Sequence, residues 1–311
     1  MGYTIGSFNI QKLGEAAVLQ LRRDFALIAR VIRDERMDIV ALQEIFGDPL
    51  KHHVVSMLQN HLNHAGTASW SAAYVRSPKS NEGYAFLWNS SRIGLLPDDR
   101  YPGYFKEPTT MDHKSYGLIR PPAVGRFIPV GPMVPFIEIR VINTHIYHGA
   151  GNTSQNIALR LREYQTLSDR VFARTAKMRD GCFRPAYTFI AGDYNLAQAL
   201  CEAALAARRD PEMEMHCLQK RVTTIGTKID PATQKEITEY TANDYDHFTC
   251  SHRECEYLDY IGRIDAPNHY CGGDFSRYKK DVSDHVPIKL ELELRRRTVA
   301  SPMPAAVSTS N

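Results

Sequence analysis

Ala186-Tyr187-Thr188-Phe189-Ile190-Ala191-Gly192-Asp193-Tyr194-Asn195 is an apolar run that stops abruptly in polar residues. Six consecutive residues up to Ala191 carry little that wants water, as in a strand buried on both faces. The four residues after it hold a glycine, a carboxylate and an amide. A buried core avoids such groups unless they are bonded or functional. The stretch therefore reads as a core strand whose end opens onto a polar site.

The same design recurs along the chain. Five other predicted strands end in Phe8-Asn9, Leu42-Gln43-Glu44, Asn143-Thr144-His145, Tyr245-Asp246-His247 and Val282-Ser283-Asp284-His285. Strand ends at one rim of a sheet converge in space, so residues distant in sequence can line one cleft.

Between these ends the periodicity predicts the remaining elements. Residues 3–9 and 38–43 read as core strands. Residues 15–36 carry Val18, Leu21, Phe25, Ile28, Ala29 and Ile32 at helical spacing. A second helix is expected over 49–61, and three strand-like pieces over 69–97. Residues 98–122 read as loop, and 123–128 with 136–144 as a strand pair. A long amphipathic helix is expected over 154–178, from Ile157, Leu161, Tyr164, Leu167 and Val171. The 197–245 stretch reads as a short alanine-rich helix followed by polar turns. Strands follow near 247–250, 257–264 and 285–294. No internal repeat is visible. The expected fold class is α/β: two mixed β-sheets packed face to face and flanked by helices, a four-layer α-β-β-α sandwich. Residues 1–294 are expected to form a single domain, and the Ala, Ser, Pro and Thr-rich tail 295–311 to be disordered.

Composition narrows the class without choosing a function. The chain has 311 residues, 43% hydrophobic and 23% charged, with a formal net charge of +3. That permits a polyanionic partner and does not demand one. No signal peptide and no bilayer-length apolar run are visible, so a cytoplasmic protein is expected, with export by a signal-less route left open. The six cysteines read as free thiols. Cys250, His252, Cys255 and Cys271 are residue types that bind zinc, but their spacing matches no standard pattern.

The polar inventory suits phosphoryl transfer. Asn9, Glu44, Asp193, Asn195 and Asp284 are hard oxygen donors of the kind Mg²⁺ prefers. His145 and His285 can move protons near neutral pH. Glu82 and Asp246 can each orient a histidine, and Arg120 can hold a phosphate oxygen. Taken singly, each has a plainer reading: an Asp at a strand end is commonly a cap or turn former.

The ordered set carries more than its members. Phe8-Asn9-Ile10, Leu42-Gln43-Glu44, Asn81-Glu82-Gly83-Tyr84, Thr144-His145, Gly192-Asp193-Tyr194-Asn195, Tyr245-Asp246-His247 and Ser283-Asp284-His285-Val286-Pro287 resemble the motifs of the DNase I-like endonuclease/exonuclease/phosphatase superfamily, in its order, over about residues 3–294. The Glu82 and His145 pair, the Asp246 and His285 pair, and Ile119-Arg120-Pro121-Pro122-Ala123-Val124 resemble the DNase I and cytolethal distending toxin nuclease branch. That resemblance implies a Mg²⁺-dependent endonuclease cutting DNA with little sequence specificity. Mn²⁺ is expected to substitute, and Ca²⁺ to add support at most.

By the same resemblance Glu44 is the principal metal ligand, helped by Asn9 and Asp284. Asp193 and Asn195 hold the scissile phosphate or a second metal. His285, oriented by Asp246, activates water for in-line attack. His145, paired with Glu82, protonates the leaving oxygen or stabilises the charged phosphorane. Arg120 and Asn195 bind substrate phosphate.

Two positions depart from DNase I: Phe46 and Ser80 stand where it carries groove-contacting arginine and tyrosine. Lys51, His52, His53, Arg76 and Lys79 are alternative phosphate contacts. Two other readings stay open: a phosphoesterase of the same fold acting on a phospholipid, inositol phosphate or nucleotide, and a non-catalytic binding protein. A monomer is expected. A nuclease of low specificity inside a cell needs restraint, but no inhibitor or regulator is visible in the sequence.

Overall fold

The computed structural model describes residues 2–14, 23–46, 53–64, 66, 68–97, 108–111, 114–178, 184–208, 214–241 and 243–294. The tail from 295, together with Lys51, His52 and Cys182, lies outside them.

In chain order, β1 (Gly2–Leu13) leads through α1 (Phe25–Asp34) to β2 (Ile39–Phe46) and α2 (His53–His64). Strands β3 (Trp70–Arg76), β4 (Glu82–Asn89), β5 (Ile93–Leu95) and the two-residue β6 (Thr109–Thr110) follow. β7 (Ala123–Pro129) and β8 (Glu138–His145) precede α3 (Ser154–Thr166), which runs through a π-helical stretch (Leu167–Phe172) into α4 (Ala173–Ala176). Then come β9 (Ala186–Asp193), α5 (Gln198–Ala206), β10 (Met215–Leu218), β11 (Ile225–Ile229) and β12 (Glu236–Tyr240). The chain closes with β13 (Asp246–Ser251), α6 (His252–Cys255), β14 (Leu258–Arg263), α7 (Ala266–Cys271), α8 (Phe275–Asp281) and β15 (Ile288–Glu293).

Two mixed sheets result, ordered β14-β15-β1-β2-β4-β3 and β10-β13-β9-β8-β7-β5, with β6 on β7. Each contains one parallel pair, β1 with β2 and β8 with β9. A helix crosses over within each pair, as parallel strands require. Because each pair is parallel, its two strands end at the same rim, bringing Asn9 beside Gln43 and His145 beside Asp193 in register.

Three apolar clusters define four layers. Ile5, Ile39, Phe86, Trp88, Phe127, Ile139, Phe189 and Leu290 fill the space between the sheets. Leu42, Leu87, Ile28, Ile32 and Leu58 pack one sheet on α1 and α2. Ile142, Ile190, Tyr164, Leu167 and Cys201 pack the other on α3, its π-helical continuation and α5. Each large side chain so enclosed contributes on the order of 1.5–3 kcal/mol. The expected α-β-β-α sandwich is the observed one.

Several elements differ from expectation. The helix expected over 154–178 contains the π-helical stretch, which turns Leu167, Ser168, Val171 and Phe172 all inward. The stretch read as polar turns holds the edge strand β10 and the β11–β12 hairpin, whose exposed alternation carries no burial signal. Within the expected loop, Thr109–Thr110 pairs with β7, and Lys114–Tyr116 forms a 3-10 turn.

Two buried polar systems join the layers. Gln43 donates to Asn143 Oδ1 across the sandwich at 2.7 Å, and Asn143 Nδ2 donates to Leu42 O at 3.0 Å. Under the second sheet, Glu138 accepts from Arg126 Nε at 2.5 Å and Arg140 Nε at 2.6 Å. Arg140 also donates to the carbonyls of Thr175 and Met178, tying the end of the long helix to β8.

Candidate active site

The strand ends meet in one cleft. Its centre is Asp193, at the end of β9 and 1% exposed. Asp193 Oδ2 accepts from Asn9 Nδ2 at 3.0 Å, and its Oδ1 accepts from Asn195 N at 2.8 Å. The same oxygen, Oδ2, lies 3.6 Å from His145 Nε2 and 3.7 Å from His285 Nε2. Two histidines from different sheets thus point their Nε2 atoms at one carboxylate.

Each ring has its own carboxylate on the far side. His285 Nδ1 donates to Asp246 Oδ2 at 2.7 Å, and His145 Nδ1 donates to Glu82 Oε1. These bonds place the remaining acid–base function on Nε2, facing the cleft. Burial disfavours a charged imidazole. For His285 the charges of Asp246 and Asp193 outweigh that and raise its pKa well above the ordinary value. For His145 the bond to Glu82 does the same, more modestly. Asp193 is raised as well: burial raises its carboxyl, and the two histidines offset only part.

A second group of oxygens lies on the β1, β2 and β15 side. Glu44 Oε1 accepts from Asn9 Nδ2 at 3.1 Å and its Oε2 from Lys12 N at 3.0 Å. Burial would raise its carboxyl, yet the two histidines and these bonds together hold it below the ordinary range. Asp284 Oδ2 accepts from Gln11 Nε2 at 2.6 Å, while its Oδ1 is buried with no hydrogen-bond partner. Burial raises this carboxyl. An acceptor oxygen left bare inside a protein is costly unless something positive meets it. Glu44 and Asp284 therefore fit a hard divalent cation, which needs only one or two carboxylates and otherwise keeps waters. Asn9 faces Glu44 with Nδ2 while its Oδ1 accepts from Gln11 N, so its oxygen reaches a cation only if the amide turns over.

Local backbone chemistry explains the motif residues. Gly192 sits at φ +151°, and a Cβ there would come within 1.8 Å of Thr144 O, so only glycine lets β9 lie against β8 at this point. Glu44 and Asn195 adopt left-handed φ values of 58° and 50°. Asn tolerates that region readily; for Glu it is uncommon and marks a strand end re-aimed by a bulge. Ser283 Oγ donates to Asn9 O at 2.7 Å and accepts from His285 N, binding β1 to the loop that carries His285.

All ten residues expected at the site lie at this cleft or its margin. Asn195 Nδ2 donates to Ile146 O, which fixes its side chain. Arg120 Nη2 pairs with Glu82 Oε2 at 2.9 Å, its Nη1 lies 3.0 Å from His145 Nδ1, and its guanidinium stacks over Tyr147. Its fork is thus committed to the Glu82–His145 pair. At the two departures from DNase I, Ser80 Oγ accepts from Glu82 N, and the Cβ and backbone of Phe46 lie against Gly14. Lys79 donates to Leu118 O.

Sequence reasoning missed a supporting tier. Gln11 holds Asp284 and is itself held by Arg23 Nη2 through its side-chain oxygen at 2.9 Å. Arg160, 1% exposed, donates to Asn195 O at 2.7 Å, and Glu163 accepts from Ile119 N at 2.7 Å, setting the approach of Arg120. His247, adjacent to Asp246, faces Leu196 O and Gln219 O with its two nitrogens and shores up the loop instead of facing the cleft. Charged residues on a helix face expected to be apolar were the available signal for Arg160 and Glu163.

Comparison with known proteins agrees with this fold. Solved structures of the same fold include an endonuclease/exonuclease/phosphatase from Bacteroides vulgatus, at 15% identity and TM-score 0.57, covering 95% of this chain and 100% of that one. TDP2 from Caenorhabditis elegans aligns at 14% identity and TM-score 0.57, over 94% of this chain and 76% of that one. A mannosyl-6-phosphatase from Bacteroides thetaiotaomicron aligns at 15% and 0.57, over 94% and 100%. No curated protein matches by sequence. Among the described residues no helix is long and apolar enough to cross a membrane. Residues 6–289 match the endonuclease/exonuclease/phosphatase family, and the chain belongs to it.

Proposed function

We propose that this chain is a Mg²⁺-dependent phosphodiesterase that cleaves DNA with little sequence specificity. The observation that carries this reading is the pair of histidines, each backed by its own carboxylate, with both Nε2 atoms turned toward Asp193. A phosphodiester between them has a proton acceptor on one side and a donor on the other. Both are needed when water replaces an alkoxide.

His285, fixed by Asp246, takes the proton of the attacking water at Nε2 as the neutral ring, the form present above its raised pKa. His145, fixed by Glu82 and kept protonated by it, delivers a proton from Nε2 to the leaving oxygen. Asn195 and Asp193 bracket the phosphate, and Arg120 stiffens the Glu82–His145 pair while adding positive charge at the margin. Glu44, Asp284 and Asn9 would hold the cation, which supplies charge neutralisation for the phosphoryl oxygens.

A specific observation favours a second reading, a phosphoesterase acting on a smaller ester. Phe46 and Ser80 stand where DNase I carries its groove-contacting arginine and tyrosine, and Ser80 Oγ is engaged by Glu82 N. The mannosyl-6-phosphatase of Bacteroides thetaiotaomicron has the same fold. A panel in Mg²⁺ separates the two: supercoiled plasmid, single-stranded DNA, RNA, an inositol phosphate, a sugar phosphate and a nucleotide. Plasmid nicking in Mg²⁺ and not in EDTA supports the nuclease. Phosphate release from a small ester without nicking supports the alternative.

A further inference from the structure

Away from the catalytic cleft, Glu214, His216 and His252 bring three ligand atoms within 4.8 Å of one another. We propose that these residues form a separate site for a divalent transition ion, Zn²⁺ above all, which pins the edge strand β10 to the start of α6.

The spacing suits coordination better than hydrogen bonding. His216 Nε2 lies 3.3 Å from His252 Nδ1 and 3.4 Å from Glu214 Oε1. Both separations exceed the usual hydrogen-bond length of about 2.9–3.0 Å. A single nitrogen can direct its proton or lone pair at only one of the two neighbours. Two ligands on a tetrahedral zinc, each near 2.0–2.1 Å from the metal, stand about 3.3–3.4 Å apart. The two separations match two edges of such a tetrahedron.

The backbone holds the ligands in place independently. His252 N donates to Glu214 O at 2.8 Å, and His216 faces Cys250 in register across β10 and β13. Two imidazoles and one carboxylate are the donor types that zinc prefers over Mg²⁺, so the ion would not be the one expected at Glu44. The site is also remote from that cleft: Asp246 begins β13, and His252 follows its other end. Cys250 and Cys255, with sulfurs 3.4 Å apart, lie close by in sequence, whereas Cys271 belongs to the core cluster on the opposite face of the other sheet. The zinc-type residues noted in the sequence therefore do not form one site; His252 turns to His216 and Glu214 instead. β10 is the last strand of its sheet, and a metal staple there would block its open edge from pairing elsewhere.

Co²⁺ titration of the full chain tests this, with Glu44→Gln as background to remove the catalytic ligand. One equivalent of Co²⁺ should give the intense visible absorption of a tetrahedral site, and Zn²⁺ should displace it and raise Tm. His216→Ala and His252→Ala should each abolish the absorption and the Tm shift, and Glu214→Ala, a change at an exposed position, should weaken both. In the otherwise native chain, His216→Ala should leave Mg²⁺-supported turnover unchanged. Unaltered Co²⁺ absorption in the folded His216→Ala and Glu214→Ala proteins would overturn the proposal. So would a thiolate-to-cobalt charge-transfer band, which would place cysteines in the site.

Discussion

His285 donates from Nδ1 to Asp246 Oδ2 at 2.7 Å, and that one bond decides which nitrogen of the ring is left for chemistry. With the proton fixed on Nδ1, Nε2 is the atom that faces Asp193 and the cleft. Asp246→Asn removes the charge and allows the wrong tautomer. It should reduce turnover by about 10²-fold or more, the scale of a general acid–base group. Paired with His285→Ala it should be little worse than either change alone, because residues acting as a unit are not additive. Steady-state kinetics on the three proteins checks this; full multiplication of the two losses would separate Asp246 from His285.

Metal and proton should be linked. Asp246 and Asp193 raise the pKa of His285, and Glu82 raises that of His145. A divalent cation beside Glu44 repels those protons, so binding should release them, and Mg²⁺ affinity should rise with pH through the histidine range. Calorimetry in two buffers of different ionisation enthalpy reads the proton count directly. Glu44→Gln should eliminate both the binding and the turnover while leaving Tm nearly unchanged.

Gly192→Ala tests the packing beneath the motif. The added Cβ would meet Thr144 O, a backbone atom within a paired strand, at a φ of +151°. The strain should cost about 1–3 kcal/mol or more, read as a lower Tm together with a loss of turnover, since Asp193 is the next residue.

Glu138 tests the buried ion cluster. Burial acts to raise its carboxyl, but Arg140 and Arg126 outweigh it and hold the pKa below the ordinary value. Its stabilising contribution is therefore complete above the ordinary glutamate pKa and is lost as pH falls through the lowered folded value. Glu138→Gln leaves Arg140 buried without a counter-charge and should cost roughly 3–5 kcal/mol near neutral pH. Denaturation of the two proteins should differ most there and converge in strong acid.

Substrate grip is tested by gain of function. Phe46→Arg with Ser80→Tyr should increase cleavage of duplex DNA and make it less sensitive to salt than phosphate contacts alone allow. No change in a folded double variant would mean that another surface holds the substrate.

What was readable in the sequence follows from where each residue sits. Asn9, Glu44, His145, Asp193 and His285 stand at the ends of short apolar runs, where the change from core to polar is abrupt and local. The four layers were legible for the same reason. The roles of Arg160 and Glu163 were not, because a charge on or beside the apolar stripe says only that something must pair with it, and their partners Asn195 O and Ile119 N come from distant loops. Among the described residues the β11–β12 hairpin forms a two-stranded sheet of its own, and its polar alternation cannot be told from turns. Gln11 escaped notice because its partner Asp284 is brought to it only by the pairing of β1 with β15. Whether Asp246 serves His285 or its neighbour His247 is likewise a matter of which ring the strands bring together.

The most direct test is single-turnover nicking of supercoiled plasmid in Mg²⁺ by the wild type, His145→Ala and His285→Ala, with Tm measured alongside. Each substitution should reduce the rate by about 10²-fold or more without loss of fold, and EDTA should abolish nicking by the wild type. Undiminished nicking by either folded variant, or full activity in EDTA, would contradict a metal-dependent phosphodiesterase built on this pair of histidines.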